Sequence, residues 1–589
     1  MSRHLQRLKL STAICLVAAL LATAFSANAA TLETEMVPMD DGTELATDIF
    51  KPDGQGPWPV LLFRTPYNKM SERAGKRDIA DNNDVVVVVQ DLRGRFASEG
   101  TDCVFRCDKA DGARTIRWID EQPWSNGTIV STGGSARGIV QYMHAAAGPE
   151  ALDAMWVRVA TPTVYDHGIY WNGVFRQSLM TLWLEAQGSS FFLDEVRDHP
   201  TKDGFWDSVQ TDDNWGNVDV PTVHWGGWYD VFSQGTIDAY RGYQHQGAPG
   251  ARGEQKLVMG PWVHGGADGG PQGDLQYPNN AFEGGPFAED MYVRWLTHHL
   301  GIRDHSEWLE DLPNVHYYVM GAVGEPSAPG NEWRTNDQWP PASEPVRMYL
   351  QPEGGLAASC PPDDGSTTDY AYDPNDPSPT RGGNNLRIKA GPVDQRPVEK
   401  RDDVVVFETP TLEEPMEITG RVEAHLSASV DVAETDLMVR MTDVYPDGRS
   451  MLVLDAPARV NSPDGGVVDV TIDLWSTSII LAQGHKLRVS ITSSNAPRFQ
   501  PHPQPADVSI HHSLEHPSYL VVPDPSAEDG AVVRCDDDAD SSDDVGSSGC
   551  SCSSAGGGPA PTSLLVLLVG LIKVVLLHFS PERRPTDIQ

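Results

Sequence analysis

Positive charge is what this chain has least of. Its 589 residues carry 44 lysines and arginines against 83 aspartates and glutamates, a formal net charge of −39. Such a surface repels phosphate backbones and anionic headgroups, which argues against nucleic acid and anionic membrane surfaces as partners. Spread over loops and tail, the acidity is a solubility feature and does not mark an active site. Cysteine is also scarce, at seven residues. Cys103 and Cys107 stand in a loop with no second pair or nearby histidine arranged as a zinc site. A local disulfide is the expectation if the chain is exported. Cys360 and Cys535 are available to pair, although spacing does not establish their connectivity. Long apolar runs are missing at the N-terminus too: Ala13 to Phe25 is too short to span a bilayer. With Arg3, Arg7 and Lys9 before it and Ala27-Asn28-Ala29 behind, residues 1–29 read as a signal peptide, which would remove Cys15; a membrane anchor is the alternative.

What is present centres on Gly133-Gly134-Ser135-Ala136-Arg137-Gly138. It lies between a β-type run, Thr128 to Val130, and a helical run, Ile139 to Ala147. A serine on a glycine-flanked turn from strand to helix is how an α/β-hydrolase presents a nucleophile. The same pattern also suits an ordinary strand-to-helix loop. The second glycine falls one place later than in G-x-S-x-G. Two further strand ends decide between these readings. Pro221 to Trp225 runs into Gly226-Gly227-Trp228-Tyr229-Asp230, and Lys256 to Met259 into Gly260-Pro261-Trp262-Val263-His264. An acid and a histidine thus each sit just past a predicted strand, where open α/β sheets bind ligands. The chain order Ser, Asp, His is the α/β-hydrolase order.

These segments resemble the motifs G-x-S-Y-x-G, G-G-W-Y-D and G-P-W-x-H of the cocaine esterase-like (CocE/NonD) hydrolases, related to X-Pro dipeptidyl-peptidase. Further stretches agree: Arg64-Thr65-Pro66-Tyr67, Asp91-Leu92-Arg93-Gly94-Arg95 through Ser98-Glu99-Gly100, and Gln122-Pro123-Trp124-Ser125-Asn126-Gly127. The resemblance runs from about Glu35 to Val522. It implies an α/β-hydrolase domain with a helical cap, followed by an all-β jelly-roll domain. It also implies that the phenol of Tyr67 serves in the oxyanion hole beside the backbone N–H of Ala136. This chain departs from the family at Ala136, where tyrosine is usual, and Arg137 follows it. Arg137 either forms an internal salt bridge or meets an anionic acyl group, as in the family's glutaryl acylases.

Texture along the chain agrees with that division. Val60 to Phe63 and Val85 to Val89 are continuous apolar runs, as in buried parallel strands. Residues 33–310 read as the hydrolase domain. Within it, 165–216 is rich in aromatic residues and breaks the strand–helix rhythm as a cap; a pair of sheet-covering helices is the alternative. Residues 311–522 carry short strands divided by turns such as Asp447-Gly448 and Asp464-Gly465, the pattern of a β-sandwich. Residues 523–562 form an acidic Ser/Gly linker that cannot build a core. Residues 563–589 hold an apolar stretch, Leu564 to Leu577, broken by Lys573 and followed by Arg583-Arg584. With Gly549-Cys550-Ser551-Cys552 this tail resembles the C-terminal sorting signals of myxobacterial surface proteins; a plain membrane tail is the alternative.

The expected chemistry is cleavage of a small ester or amide through an acyl-enzyme, with Ser135, Asp230 and His264 as triad. Such chemistry needs no metal or organic cofactor. Two other readings remain open at this point. An X-Pro dipeptidyl-peptidase would need an anionic subsite, for which the cap offers Glu185, Glu195 and Asp198. A non-catalytic surface protein would use its β-sandwich for binding.

Overall fold

The structure is a computed structural model, and it describes residues 30–282, 289–527 and 535. The expected signal peptide and the tail stretch Leu564 to Leu577 lie outside the described residues. No helix among the described residues is long and apolar enough to cross a membrane.

The first sheet begins with a hairpin of β1 (Thr31–Pro38) and β2 (Glu44–Lys51), turning at Gly42 with φ 85°. It continues through β3 (Trp58–Thr65), α1 (Lys76–Asn83), β4 (Val86–Asp91), α2 (Asp108–Asp120), β5 (Ser125–Gly134), α3 (Ala136–Ala146) and β6 (Ala154–Arg158). After β6 the chain leaves the sheet. It makes a π-helical turn at Tyr165–Ile169, a small hairpin of β7 (Tyr170–Trp171) and β8 (Val174–Phe175), then α4 (Gln177–Gln187) and α5 (Phe192–Asp198). It returns as β9 (Thr222–Tyr229), α6 (Ser233–Gln246), β10 (Lys256–Val263), α7 (Glu289–His299), β11 (Val315–Val319) and β12 (Glu332–Asn336). The sheet order is β1-β2-β4-β3-β5-β6-β9-β10-β11-β12, and β4 through β11 in that order are parallel neighbours.

The valine run of β4 shows why these strands read as unbroken apolar stretches. Val86 and Val88 join the core beneath α2, α3 and α6, whereas Val87 and Val89 join the core beneath α1 and α7. A sheet covered on both faces needs apolar residues on both sides of the pleat.

Past residue 311, where the sequence texture changes, strands still join the first sheet. Val315–Val319 pairs parallel with β10, and β12 then adds antiparallel, so the first sheet extends to Asn336. All five residues of β11 are buried. A strand with both faces covered loses the polar alternation that distinguishes sheet from sandwich texture.

The second domain runs from the strand Glu344–Gln351 to the strand Tyr519–Asp524. Among the described residues it forms an 11-stranded, mostly antiparallel β-sandwich. Its longest strands, Met416–Val430 and Val467–Leu481, pair along their length with a bulge between Arg421 and Glu423. Its core is continuous with the hydrolase domain: Trp228, Tyr240 and Tyr318 belong to the same apolar cluster as Leu437, Leu474 and Trp475. Trp171 of the cap stacks on Trp475 with ring centres 3.6 Å apart, and its indole N–H donates to the carbonyl of Asp473 at 3.1 Å. Cys103 and Cys107 form the expected local disulfide. Cys360 and Cys535 are each disulfide-bonded.

Candidate functional site

The chain runs from β3 outward to β4 and then back across β3 to β5, so the sheet reverses its winding between β3 and β5. The crevice beyond the carboxyl ends of the strands at such a point is where ligands bind. Tyr67 follows β3 there and Ser135 follows β5.

Ser135 is the hinge between β5 and α3. Its backbone stands at φ 59°, ψ −129°, a region that costs a non-glycine residue about 1–3 kcal/mol. Its N–H donates to the carbonyl of Arg158 at 3.0 Å, which fastens the turn to the neighbouring β6. The late second glycine is explained by the same contact. A Cβ on Gly138 would come within 2.6 Å of the Ala160 Cβ and 3.0 Å of the Arg158 carbonyl oxygen. Gly138 therefore lets α3 close on the end of β6. Arg137 occupies the place the usual spacing gives to glycine and turns away to Glu72: its Nη1 meets both carboxylate oxygens at 2.7 Å. Of the two roles open to Arg137, the structure shows the internal salt bridge.

Asp230 and His264 arrive on the turns after β9 and β10. His264 Nδ1 lies 2.6 Å from Asp230 Oδ2, and its Nε2 lies 3.0 Å from Ser135 Oγ. A carboxylate only accepts hydrogen bonds, so the Nδ1 must carry the proton and the Nε2 is left to accept one from the serine hydroxyl. Asp230 is fully buried, and its Oδ1 accepts the Phe232 N–H at 2.7 Å. The Phe232 ring stands edge-on to the His264 ring, 6.0 Å between centres. Both sides of the imidazole's carboxylate partner are thereby committed.

Ser135 and Ala136 open into a narrow apolar cavity of about 40 Å³. Phe105, Ile139, Trp183, Phe232 and Leu386 are among its walls. The N–H of Ala136 starts α3 and has no acceptor one turn back along the helix. Tyr67 is half-buried, and its hydroxyl oxygen accepts the Trp183 indole N–H at 3.3 Å. The cap carboxylates take no part in the cavity: Glu195 pairs with Arg106 at 3.0 Å, and Glu185 and Asp198 are exposed.

Three participants were not legible in the sequence. Asn384, from a loop of the second domain, donates from Nδ2 to the carbonyls of Trp228 at 3.0 Å and Asp230 at 2.7 Å. Leu386 brings the second domain into the cavity wall. Arg176 is buried and donates from Nη1 to the Val231 carbonyl at 3.0 Å and from Nη2 to the Asn384 carbonyl at 3.4 Å. No local pattern flags any of them, because each acts on a segment far away in the chain.

A parallel sheet wound in this order, with serine, acid and histidine joined in one hydrogen-bonded line at its strand ends, defines a serine hydrolase of the α/β-hydrolase class. The comparisons with known proteins then supply the family. The X-Pro dipeptidyl-peptidase (S15 family) pattern matches residues 41–190 and 181–266, and that of the X-Pro dipeptidyl-peptidase C-terminal non-catalytic domain matches residues 306–521. The cocaine esterase of Rhodococcus sp. (strain MB1 Bresler) is 29% identical over 578 residues, covering 83% of this chain and 97% of that one. Two solved structures share the fold. An alpha-amino acid ester hydrolase has a TM-score of 0.71 at 23% identity, over 85% of this chain and 97% of its own. A CocE/NonD family hydrolase from Staphylococcus aureus has a TM-score of 0.66 at 19% identity, over 84% and 94%. The chain belongs to the CocE/NonD hydrolase family, related to X-Pro dipeptidyl-peptidase. The alternative of a non-catalytic surface protein does not stand, since the family is one of serine esterases and hydrolases.

Proposed function

We propose that the protein hydrolyses carboxylic esters of small apolar acids through an acyl-enzyme on Ser135. The observation that carries this reading is the Ser135–His264–Asp230 line, 3.0 and 2.6 Å long, at the mouth of an apolar cavity. Ser135 Oγ attacks the ester carbonyl carbon as His264 Nε2 takes its proton. The same proton passes to the departing alkoxide when the C–O bond breaks. Water then attacks the acyl carbon as His264 takes one of its protons, and His264 returns that proton to Ser135 Oγ as the acyl C–O bond breaks and the acid leaves. Asp230 holds the Nδ1–H tautomer and stabilises the imidazolium formed twice in the cycle.

The tetrahedral oxyanion needs preorganised donors. Ala136 offers a backbone N–H that α3 leaves unused. Tyr67 offers a hydroxyl whose oxygen already accepts from Trp183. An indole is a donor only, so the phenolic proton stays free to be given elsewhere.

Ester is favoured over X-Pro peptide by the cavity walls. A dipeptidyl-peptidase must hold a free ammonium, and none of Glu185, Glu195 or Asp198 lines the cavity. A relative 29% identical to this chain is named a cocaine esterase. The deciding experiment is a panel of aryl esters set against Gly-Pro and Ala-Pro anilides. Ester turnover that exceeds anilide turnover by orders of magnitude is expected; the reverse would establish the peptidase.

The Cys103–Cys107 disulfide favours an exported enzyme, since such bonds persist in oxidising compartments. The expected signal peptide and tail support a location at a membrane or cell surface. Fractionation of native cells, with recovery of the full chain only in the cytosol, would exclude this.

A further inference from the structure

The loop between the disulfide cysteines has a peculiarity that neither the fold nor the triad requires. Val104 and Phe105 stand at φ 44° and 70°. A β-branched or bulky residue there is an outlier, and glycine or asparagine would be the ordinary choice. The two residues lie inside a bridge whose Cα atoms are 6.0 Å apart. A ring of so few residues restricts its interior backbone, and here it holds two large side chains in a conformation they do not choose.

Both side chains are buried and line the cavity beside Ser135 and Ala136. Phe105 stacks on Trp183 of the cap, 5.6 Å between ring centres. Trp183 in turn donates to the Tyr67 hydroxyl. The bridged loop and the residue before it are also tied to the cap. Asp102 Oδ2 accepts from Ser189 Oγ at 2.6 Å. Arg106 pairs with Glu195 at 3.0 Å, and its guanidinium lies 4.9 Å over the Phe192 ring.

We propose that the Cys103–Cys107 disulfide is a clasp that fixes one wall of the acyl cavity, with Phe105 as the side chain that sets acyl length. The inference rests on reading Ser135 as the nucleophile. Through Phe105 and Trp183 the clasp also holds the cap against the hydrolase domain. Loosening it opens the cavity toward longer acyl chains and weakens the fit of short ones.

The test uses the full chain with p-nitrophenyl acetate, butyrate and octanoate. Two variants are compared with wild type: Cys103→Ser with Cys107→Ser, and Phe105→Ala, which keeps the bridge. Fluorophosphonate labelling of Ser135 is followed in parallel, with a thermal melt for each protein. Both variants should keep cooperative melts and be labelled. The octanoate-to-butyrate ratio of kcat/KM should rise by about tenfold or more in each, the scale of a few methylenes in an apolar pocket. A folded double-serine variant with the wild-type chain-length profile would overturn the clasp. An unchanged profile in Phe105→Ala would overturn the role of that side chain; if the double-serine protein does not fold, wild type reduced with dithiothreitol takes its place, and an unchanged chain-length profile in the reduced enzyme would overturn the clasp. Failure of wild type itself to label or to turn over any ester would instead refute the underlying esterase reading.

Discussion

The side-chain amide of Asn384 lies 2.7 Å from the carbonyl oxygen of Asp230, across 154 residues of sequence. A loop of the second domain thus holds the turn that aims the acid of the triad. The same Nδ2 reaches the Trp228 carbonyl, and the Asn384 carbonyl is met by the buried Arg176. The second domain is therefore part of the machinery even though it supplies no reacting group.

Asn384→Ala should remove the side-chain donor from two buried carbonyls. The Asp230 carbonyl keeps the Ser233 N–H at 3.2 Å, so the cost of about 1–3 kcal/mol for an unsatisfied group falls on the Trp228 carbonyl. The melting temperature should fall. Because the turn beneath Asp230 is loosened, kcat should fall about tenfold or more while KM changes little, as for a misplaced catalytic group. Steady-state kinetics with a short aryl ester check this. Wild-type kcat in a destabilised variant would make Asn384 a structural tie only.

Ser135→Ala should abolish turnover and leave the fold intact. Ser135→Gly should be equally inactive but more stable, because glycine accepts the φ 59° backbone that serine occupies under strain. Paired melts of the two variants report the difference. A glycine variant that melts below the alanine one would show that the turn is not strained as described.

Tyr67→Phe removes one proposed oxyanion donor, and such losses lower kcat by about 10²–10³. The effect should fall on kcat rather than KM, since the bond strengthens as negative charge develops. Trp183→Phe should cost much less, because the indole only orients the phenol. Unchanged kcat in Tyr67→Phe would assign the oxyanion to other donors.

His485 carries a pH-dependent share of the second domain's stability. Burial is the largest single influence and opposes its charge, but the Asp443 carboxylate at 2.7 Å from Nδ1 and the Glu325 carboxylate at 3.3 Å from Nε2 together outweigh it, so its pKa is raised above 6.5. Burial also lifts the Asp443 carboxyl, which weakens this pull without reversing it. A histidine raised on folding stabilises fully below its unfolded pKa, and the contribution is lost as pH rises through the folded value. His485→Gln should therefore lie furthest below wild type in melting temperature at pH 6, with the gap closing toward pH 9. A gap independent of pH would mean that His485 is held neutral.

Much of the site was legible in the residues themselves. Asp230 and His264 each come directly after an apolar strand that carries glycine near its end, and Ser135 stands between a strand and a helix. Those are local relations, and a parallel sheet gathers its strand ends on one edge whatever the details of packing. The hairpin turns at Gly42 and Gly448, with φ 85° each, are local for the same reason. The allocation of β11 was not, because a strand covered on both faces carries no alternation to show which sheet it joins. Nor could sequence decide between the two roles of Arg137, since its partner Glu72 lies 65 residues away. Asn384, Leu386 and the wall formed by Val104 and Phe105 matter only through what they meet in space. Hydrogen-bond partners and cavity walls depend on which surfaces the packed core brings into contact, and no short stretch of chain encodes that.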